Sequence, residues 1–286
     1  MIPKPREVKV TGGVVGVYDY GDPAGSPVFA FHGTPSCGAG FDWTDGPARE
    51  RAIRVIAPDR PGVGLTSRDH SYIVADYPAM VGALADALDI DRFAVWGYSG
   101  GGPYAVACAA RLPGRVTAAA VAAGMGELGV WAKPDEFERT DRQLLALCTK
   151  APPVARVVLG AAGFLARRAP KTALKSFEKE LIAPDLAVIA TLPPPDETVA
   201  LFTQAFLRGA SGVVADYRAL AQPWGVALDA ITAPFTVFHG DADSMVPLRH
   251  GEELAARVPG ARLVVWPGEG HLGTITHAGE ILETLR

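Results

Sequence analysis

Short, almost uninterrupted apolar runs alternate with segments of helical periodicity over most of this chain. Runs at 28–31, 53–57, 93–97 and 116–122 are separated by helix-length patterns, and two more, at 235–239 and 263–266, follow towards the C-terminus. The clearest helical patterns cover 77–88, 101–112, 248–257 and 275–285. A strand that is apolar on both faces must be covered on both faces. The rhythm therefore specifies an α/β fold, a mostly parallel twisted sheet flanked by helices. The opening differs. Segments 8–10 and 14–20, broken by Gly12-Gly13, read as an antiparallel hairpin at the sheet edge.

The alternation stops after about Met125. From Glu127 to about Trp224 the patterns are helical and no strand is evident. Asp135 is placed to cap a helix reaching Cys148, and Pro170 suits the first turn of a helix over 171–182. Pro193-Pro194-Pro195 breaks the chain, after which Asp196 can cap a long helix. The expected organisation is a core built from 1–126 and 225–286, with 127–224 inserted as an all-helical cap.

Composition narrows the class. With 286 residues, 49% of them hydrophobic and 20% charged, the chain is long and apolar enough for a full-sized core. A net charge of −4 without a basic domain argues against nucleic acid as a partner. The opening MIPKPREVKV has no apolar stretch, so no secretory signal is expected. The longest apolar stretches, 116–124 and 154–166, are too short to span a membrane, and Arg156 interrupts the second. No membrane partner is expected. Cys37, Cys108 and Cys148 are odd in number and far apart, which rules out a disulfide framework and suits a reducing, cytoplasmic setting.

The chemistry concentrates at Gly97-Tyr98-Ser99-Gly100-Gly101, a G-x-S-x-G with a strand before it and a helix after it. That context is the one a nucleophile elbow requires. A turn so sharp needs small residues two before and two after the serine. It leaves the hydroxyl exposed at a helix N-terminus, where the dipole favours developing negative charge. The blander reading is a glycine-rich turn with a surface serine. A serine nucleophile needs a base, and the base an orienting acid. The loop after the strand at 235–239 offers Asp241 and Asp243, and the loop after 263–266 offers His271.

Together these features resemble the α/β-hydrolase superfamily, in particular serine hydrolases with a helical cap domain. The resemblance is carried by His32-Gly33-Thr34-Pro35, Asp59-Arg60-Pro61-Gly62-Val63-Gly64, the serine elbow, and the Asp and His loops. It implies that Ser99 is the nucleophile, His271 the base and Asp243 the acid. Asp243 stands in a G-x-x-D-x-x-V-P frame filled by Gly240, Val246 and Pro247, whereas Asp241 lies off it. Glu127 is the remote alternative. The oxyanion would be held by the backbone N–H of Gly100 and, by the resemblance, that of Thr34. A serine at position 99 also argues against epoxide hydrolases and haloalkane dehalogenases, in which the family nucleophile is an aspartate.

Other polar residues are read structurally. His239 ends a strand and packs or bonds backbone, while His70, His250 and His277 sit in polar stretches and are expected in solvent. No histidine pair has metal-ligand spacing, so no metal and no cofactor is expected. Asp59 and Arg60 order the loop beneath the site. Cys37 is no rival to Ser99, and the basic cluster Arg167, Arg168, Lys171 and Lys175 is a solvated face.

The expectation is therefore a serine hydrolase that cleaves a small, largely apolar carboxylic ester or lactone through an acyl-enzyme. Its partner is a small-molecule substrate. The expected pocket residues are Leu144, Phe164, Phe202 and Phe206, apolar positions at helical spacing in the cap. Rival enzymes are a peptidase of the proline iminopeptidase type, a C–C bond hydrolase and a natural-product lyase. The peptidase would need a cap carboxylate for the substrate amine, with Glu127, Asp135, Glu136 and Asp216 as candidates. The rival from another class is a ligand-binding receptor or signalling protein with slow turnover.

Overall fold

The structure is a computed structural model, and residues 4–67 and 72–286 are described here. His70 lies outside them. Among the described residues, eight strands form one sheet in the order β1-β2-β4-β3-β5-β6-β7-β8. The first pair, β1 (Arg6–Val10) and β2 (Gly13–Gly21), is the expected hairpin, and β2 also runs antiparallel to β4 (Ile53–Pro58). The remaining pairs are parallel: β3 (Ser26–Phe31), β5 (Phe93–Tyr98), β6 (Val116–Ala122), β7 (Phe235–Gly240) and β8 (Arg262–Trp266). The central strands are buried along nearly their whole length, which is why they read as continuous apolar runs.

Core helices cover the sheet: α1 (Asp45–Arg49), α2 (Tyr77–Ala87), α3 (Gly102–Arg111), α10 (Leu248–Arg257), α11 (Gly273–Thr276) and α12 (Ala278–Glu283). The single C-terminal helix expected over 275–285 is in fact two short ones, α11 and α12. Between β6 and β7 lie six helices and no strand. They are α4 (Arg139–Lys150), α5 (Pro152–Arg168), α6 (Pro170–Glu178), α7 (Ala183–Ile189), α8 (Pro195–Thr203) and α9 (Ser211–Leu220).

Three cap details differ from expectation, the first being that the helix expected over 171–182 already ends at Glu178. Asp135 falls in a separate 3-10 turn, and the side chain of Glu138 caps α4 by accepting from the Thr140 N–H at 2.6 Å. The long helix after Asp196 is broken into α8, a 3-10 turn and α9, with Gly209 in a left-handed conformation (φ +83°) between the last two. Among the described residues, no single helix is long and apolar enough to cross a membrane.

The strand-to-helix junction at Ser99 is tightly packed. Ser99 has φ +53°, the left-handed region that costs a residue bearing a Cβ. A Cβ on Gly97 would lie 2.5 Å from the Gly101 carbonyl oxygen, and one on Gly101 would overlap the Phe31 carbonyl. The two glycines let β5 turn into α3 without displacing β3. Gly101→Ala should therefore lower the melting temperature by several degrees or more, since a core clash typically costs ~1–3 kcal/mol. An unchanged melt would show that the junction has room to spare.

Candidate active site

The elbow places Ser99 at the C-terminal edge of the sheet, beside the loops that follow β3, β7 and β8. In an open α/β sheet this edge is where ligands bind. Gly33, in the loop after β3, approaches closely enough that an added Cβ would lie 3.3 Å from the Ser99 Cβ. An added Cβ on Gly100 would lie 2.8 Å from the Thr34 hydroxyl. Thr34 and Gly100, the two residues with candidate oxyanion N–H groups, therefore stand side by side next to the serine.

The loops after β7 and β8 bring Asp243 to His271, whose Nδ1–H donates to Asp243 Oδ2 at 2.8 Å. The other carboxylate oxygen, Oδ1, accepts from the backbone N–H groups of Met245 and Val246, both at 2.9 Å. His239 Nε2 lies 3.3 Å from Oδ2 and donates to the Val246 carbonyl at 2.8 Å. Burial alone would raise the Asp243 pKa. The imidazole of His271 and the hydrogen bond from His239 outweigh it and hold the carboxyl well below its ordinary value. Burial would lower the pKa of His271, but Asp243, with smaller help from Asp185 and Asp141, holds it above its ordinary 6.5. The ring of His271 packs on Tyr98, the residue before the serine, with centroids 5.2 Å apart. An imidazole oriented through Nδ1 leaves Nε2 as a proton acceptor.

The alternatives for the acid lie elsewhere. Asp241 is exposed and accepts from the Gly268 N–H at 2.6 Å. Glu127 accepts from the Trp224 N–H at 2.6 Å. The histidine expectations need correction at two positions, both expected in solvent. His250 is buried, its Nδ1 accepting from the Gly126 N–H at 2.9 Å and its Nε2 lying 3.3 Å from Glu136. His277 is half-buried and stacks on Trp266 with centroids 4.4 Å apart. The buried thiol of Cys37 donates to the Leu201 carbonyl, and burial pushes its pKa up, away from thiolate chemistry.

A cavity opens on Ser99, lined by Thr34, Gly100, Met125, Phe137, Asp141, Leu145, Tyr217, Leu220 and Val246. None of the four expected pocket residues is among them. Phe164 and Phe202 are about half exposed, at 49% and 45%, and the Arg168 guanidinium covers the Phe164 ring at 4.9 Å. Phe206 packs against Gly163, where an added Cβ would lie 3.0 Å from the ring. Leu144 packs at the edge of the core, one position out of phase with its neighbour Leu145. The reason is helical phase. Helix α5 turns Ala155, Leu159 and Gly163 inward, so its other apolar residues face out. Helix α4 turns Leu145 and Cys148 inward, with Asp141 four residues before Leu145 on the same face.

Asp141 and Tyr217 went unrecognised in the sequence. The Tyr217 hydroxyl donates to Asp141 Oδ1 at 3.1 Å, and burial raises the Asp141 pKa. The i, i+4, i+7 spacing of Asp141, Leu145 and Cys148 was the available signal. The four carboxylates considered for binding an amine are placed elsewhere. Asp135 is exposed, Glu136 pairs with Arg249, Glu127 bonds the Trp224 backbone, and Asp216 is buried in an ion pair with Arg60. From α7, Asp185 reaches the histidine loop and accepts from the Leu272 N–H at 2.7 Å.

A parallel sheet crossed by a serine elbow, with a buried carboxylate–imidazole pair on the neighbouring loops, defines the α/β-hydrolase class. Residues 28–284 match the Alpha/beta hydrolase family, and the chain belongs to it as a hydrolytic enzyme. It is 30% identical over 285 residues to a 2-hydroxymuconate semialdehyde hydrolase from a Pseudomonas species, covering 96% of this chain and 89% of that protein. A 2-hydroxy-6-oxo-2,4-heptadienoate hydrolase from Pseudomonas putida is 39% identical over 137 residues, 46% of each chain, so this match spans just under half of that relative. The solved enol-lactonase from Burkholderia xenovorans shares the fold at a TM-score of 0.69 and 20% identity, over 98% of this chain and 97% of that one.

The titration of the pair has a definite sign. Because the folded pKa of His271 is raised, its stabilising share is complete below 6.5 and is lost as pH rises through the folded value. Because that of Asp243 is lowered, its share is complete above 3.8 and is lost as pH falls through the folded value. The stability that His271→Gln removes should thus be largest between about pH 4 and 6.5 and shrink above that window. Melting curves of both proteins across pH check this, and a difference that grows with pH above 7 would contradict it.

Proposed function

We propose that the protein is a serine hydrolase of small, uncharged, largely apolar carboxylic esters or lactones, acting through an acyl-enzyme on Ser99. The observation that carries this reading is the cavity wall. Met125, Phe137, Leu145, Leu220 and Val246 are apolar, no lining residue is cationic, and Asp141 is the one acidic group among them.

In this mechanism the Ser99 hydroxyl attacks the acyl carbon while His271 Nε2 takes its proton. Asp243 fixes the imidazole tautomer and stabilises the imidazolium that forms. The backbone N–H groups of Gly100 and Thr34 hold the oxygen on which negative charge develops. His271 then returns the proton to the leaving alkoxide. Water enters, gives a proton to His271 and attacks the acyl carbon, and the acid departs as Ser99 recovers its proton. For a lactone the alcohol and the acid remain one molecule.

A second reading, C–C bond hydrolysis, is favoured by the names of the two relatives. The substrate named for the second of them, a heptadienoate, carries a carboxylate. A carboxylate entering this cavity would find no cation among the lining residues to offset its loss of water. The ester or lactone reading therefore stands first.

Two measurements test it. Ser99→Ala should lose roughly 10⁴-fold or more in kcat on an activated ester, and Asp243→Asn a comparable factor, while Asp241→Asn stays near wild type. Wild-type turnover by Ser99→Ala would remove the nucleophile from the mechanism. Along p-nitrophenyl acetate, butyrate and hexanoate, kcat/KM should rise several-fold, because each CH₂ buried against the apolar wall is worth ~0.8 kcal/mol. A strict acetate preference, a need for a free amine, or faster turnover of a dienoate C–C substrate than of any neutral ester would overturn the substrate class. Labelling of the serine with negligible turnover of every ester would point to a receptor or signalling role.

A further inference from the structure

Beneath the oxyanion loop lies a polar network that the proposed chemistry does not use directly. Arg60, wholly buried, makes a two-pronged ion pair with Asp216: Nε to Oδ1 at 2.8 Å and Nη2 to Oδ2 at 2.6 Å. Arg60 comes from the loop after β4 and Asp216 from α9 of the cap, so the pair joins core to cap. The same guanidinium donates to both carbonyls leading into the oxyanion loop, that of His32 and, at 2.9 Å, that of Gly33. Nη2 also donates to the Thr34 hydroxyl at 2.7 Å, and this hydroxyl donates onward to Asp216 Oδ2 at 2.5 Å. Two phenols complete the carboxylate: Tyr104 at 2.6 Å and Tyr72 at 3.2 Å, both on Oδ1. The buried charges are matched one to one, and five donors converge on the two oxygens of Asp216.

We propose that Arg60 and Asp216 are positioning residues that set the oxyanion loop through the Thr34 side chain, so that the hole is complete only when α9 is docked. The inference rests on the proposed serine chemistry and adds that the cap contributes to the transition state as well as to substrate fit. A peptide N–H has no free choice of direction once the flanking carbonyls and its own side chain are tied. Here the His32 and Gly33 carbonyls are held by Arg60, and the Thr34 hydroxyl is held from both sides. Arginine suits this role because its planar fork can serve a carboxylate and carbonyls at once, which a lysine cannot. The adjacent residue Tyr217 faces the cavity, so one turn of α9 presents Asp216 to the loop and Tyr217 to the substrate.

The test separates positioning from plain structural support. Thr34→Val keeps the shape and the backbone N–H but removes the tied hydroxyl. Thr34→Ser restores the hydroxyl. Asp216→Asn weakens the pair itself. With p-nitrophenyl butyrate, Thr34→Val should lower kcat by roughly 10-fold or more, a fraction of what losing a whole oxyanion donor costs. KM should stay within about 2-fold, because the lost interaction matters only as charge develops. A butyl-chain trifluoromethyl ketone, which forms an oxyanion on a nucleophilic serine, should lose affinity in proportion to kcat. Thr34→Ser should recover most of both, and Asp216→Asn should show the same split at larger amplitude. Thermal melts should show Thr34→Ser close to wild type and Thr34→Val still cooperatively folded, its midpoint lowered by only a few degrees for the hydrogen bonds it loses. If Thr34→Val keeps wild-type kcat and ketone affinity while Ser99→Ala is inactive, the positioning role is overturned and the serine chemistry stands. A rise in KM with kcat intact would likewise overturn it. A fully active Ser99→Ala would bring down the serine chemistry itself.

Discussion

The left-handed turn at Ser99 is the constraint on which the rest of the molecule depends. A residue with a Cβ is held at φ +53° between two glycines that have no space for a Cβ of their own. Such a conformation persists only when its surroundings over-determine it. Here β3 and β6 flank β5 on either side, and α3 starts immediately after the turn. The strain is supported by a buried part of the sheet, and the turn places Ser99 at the sheet edge. Thr34, Asp243 and His271 stand on loops at the same edge of the sheet, after β3, β7 and β8 respectively.

Those loops are not left to themselves. The cap inserted between β6 and β7 sends two buried carboxylates down into the core. Asp216 of α9 is tied to the His32–Thr34 loop through Arg60, and Asp185 of α7 is tied to the histidine loop through the Leu272 N–H. Buried charges of this kind are costly unless fully matched, and replacing such a pair by apolar residues often stabilises a protein. The Arg60–Asp216 pair is therefore weak evidence of added stability, and its distinguishing feature is its reach to the His32–Thr34 loop. The cavity between cap and core is apolar apart from Thr34, Ser99 and the Asp141–Tyr217 pair, and it offers no cation to an anionic substrate.

How much of this was legible in the sequence follows from which interactions are local. The strands were visible because burial on both faces leaves a continuous apolar run, and β6 appears over the expected residues 116–122. The elbow was visible because its steric demand falls on residues within two positions of Ser99. Asp243 was distinguished from Asp241 by its frame, and the structure puts Asp243 on His271. The pocket was not legible. Phe164 and Phe202 share the apolar character of core residues, but facing is set by helix phase and by the docking of one helix on another. A slip of one position, as between Leu144 and Leu145, turns a side chain by roughly 100°. The Arg60–Asp216 pair spans 156 residues, and nothing near Asp216 announces its partner. The burial of His250 is hidden from the sequence for the same reason, since its partners Gly126 and Glu136 are remote in the chain.

The central claim is that Ser99 is the single reactive nucleophile of this cavity. The most direct measurement is titration with a fluorophosphonate followed by peptide mass spectrometry. The account predicts that one equivalent abolishes ester hydrolysis, that the adduct sits on Ser99, and that reaction slows as His271 becomes protonated at low pH. Loss of activity with the adduct on any other residue, or a fully labelled Ser99 in a protein that still hydrolyses esters at the original rate, would contradict it.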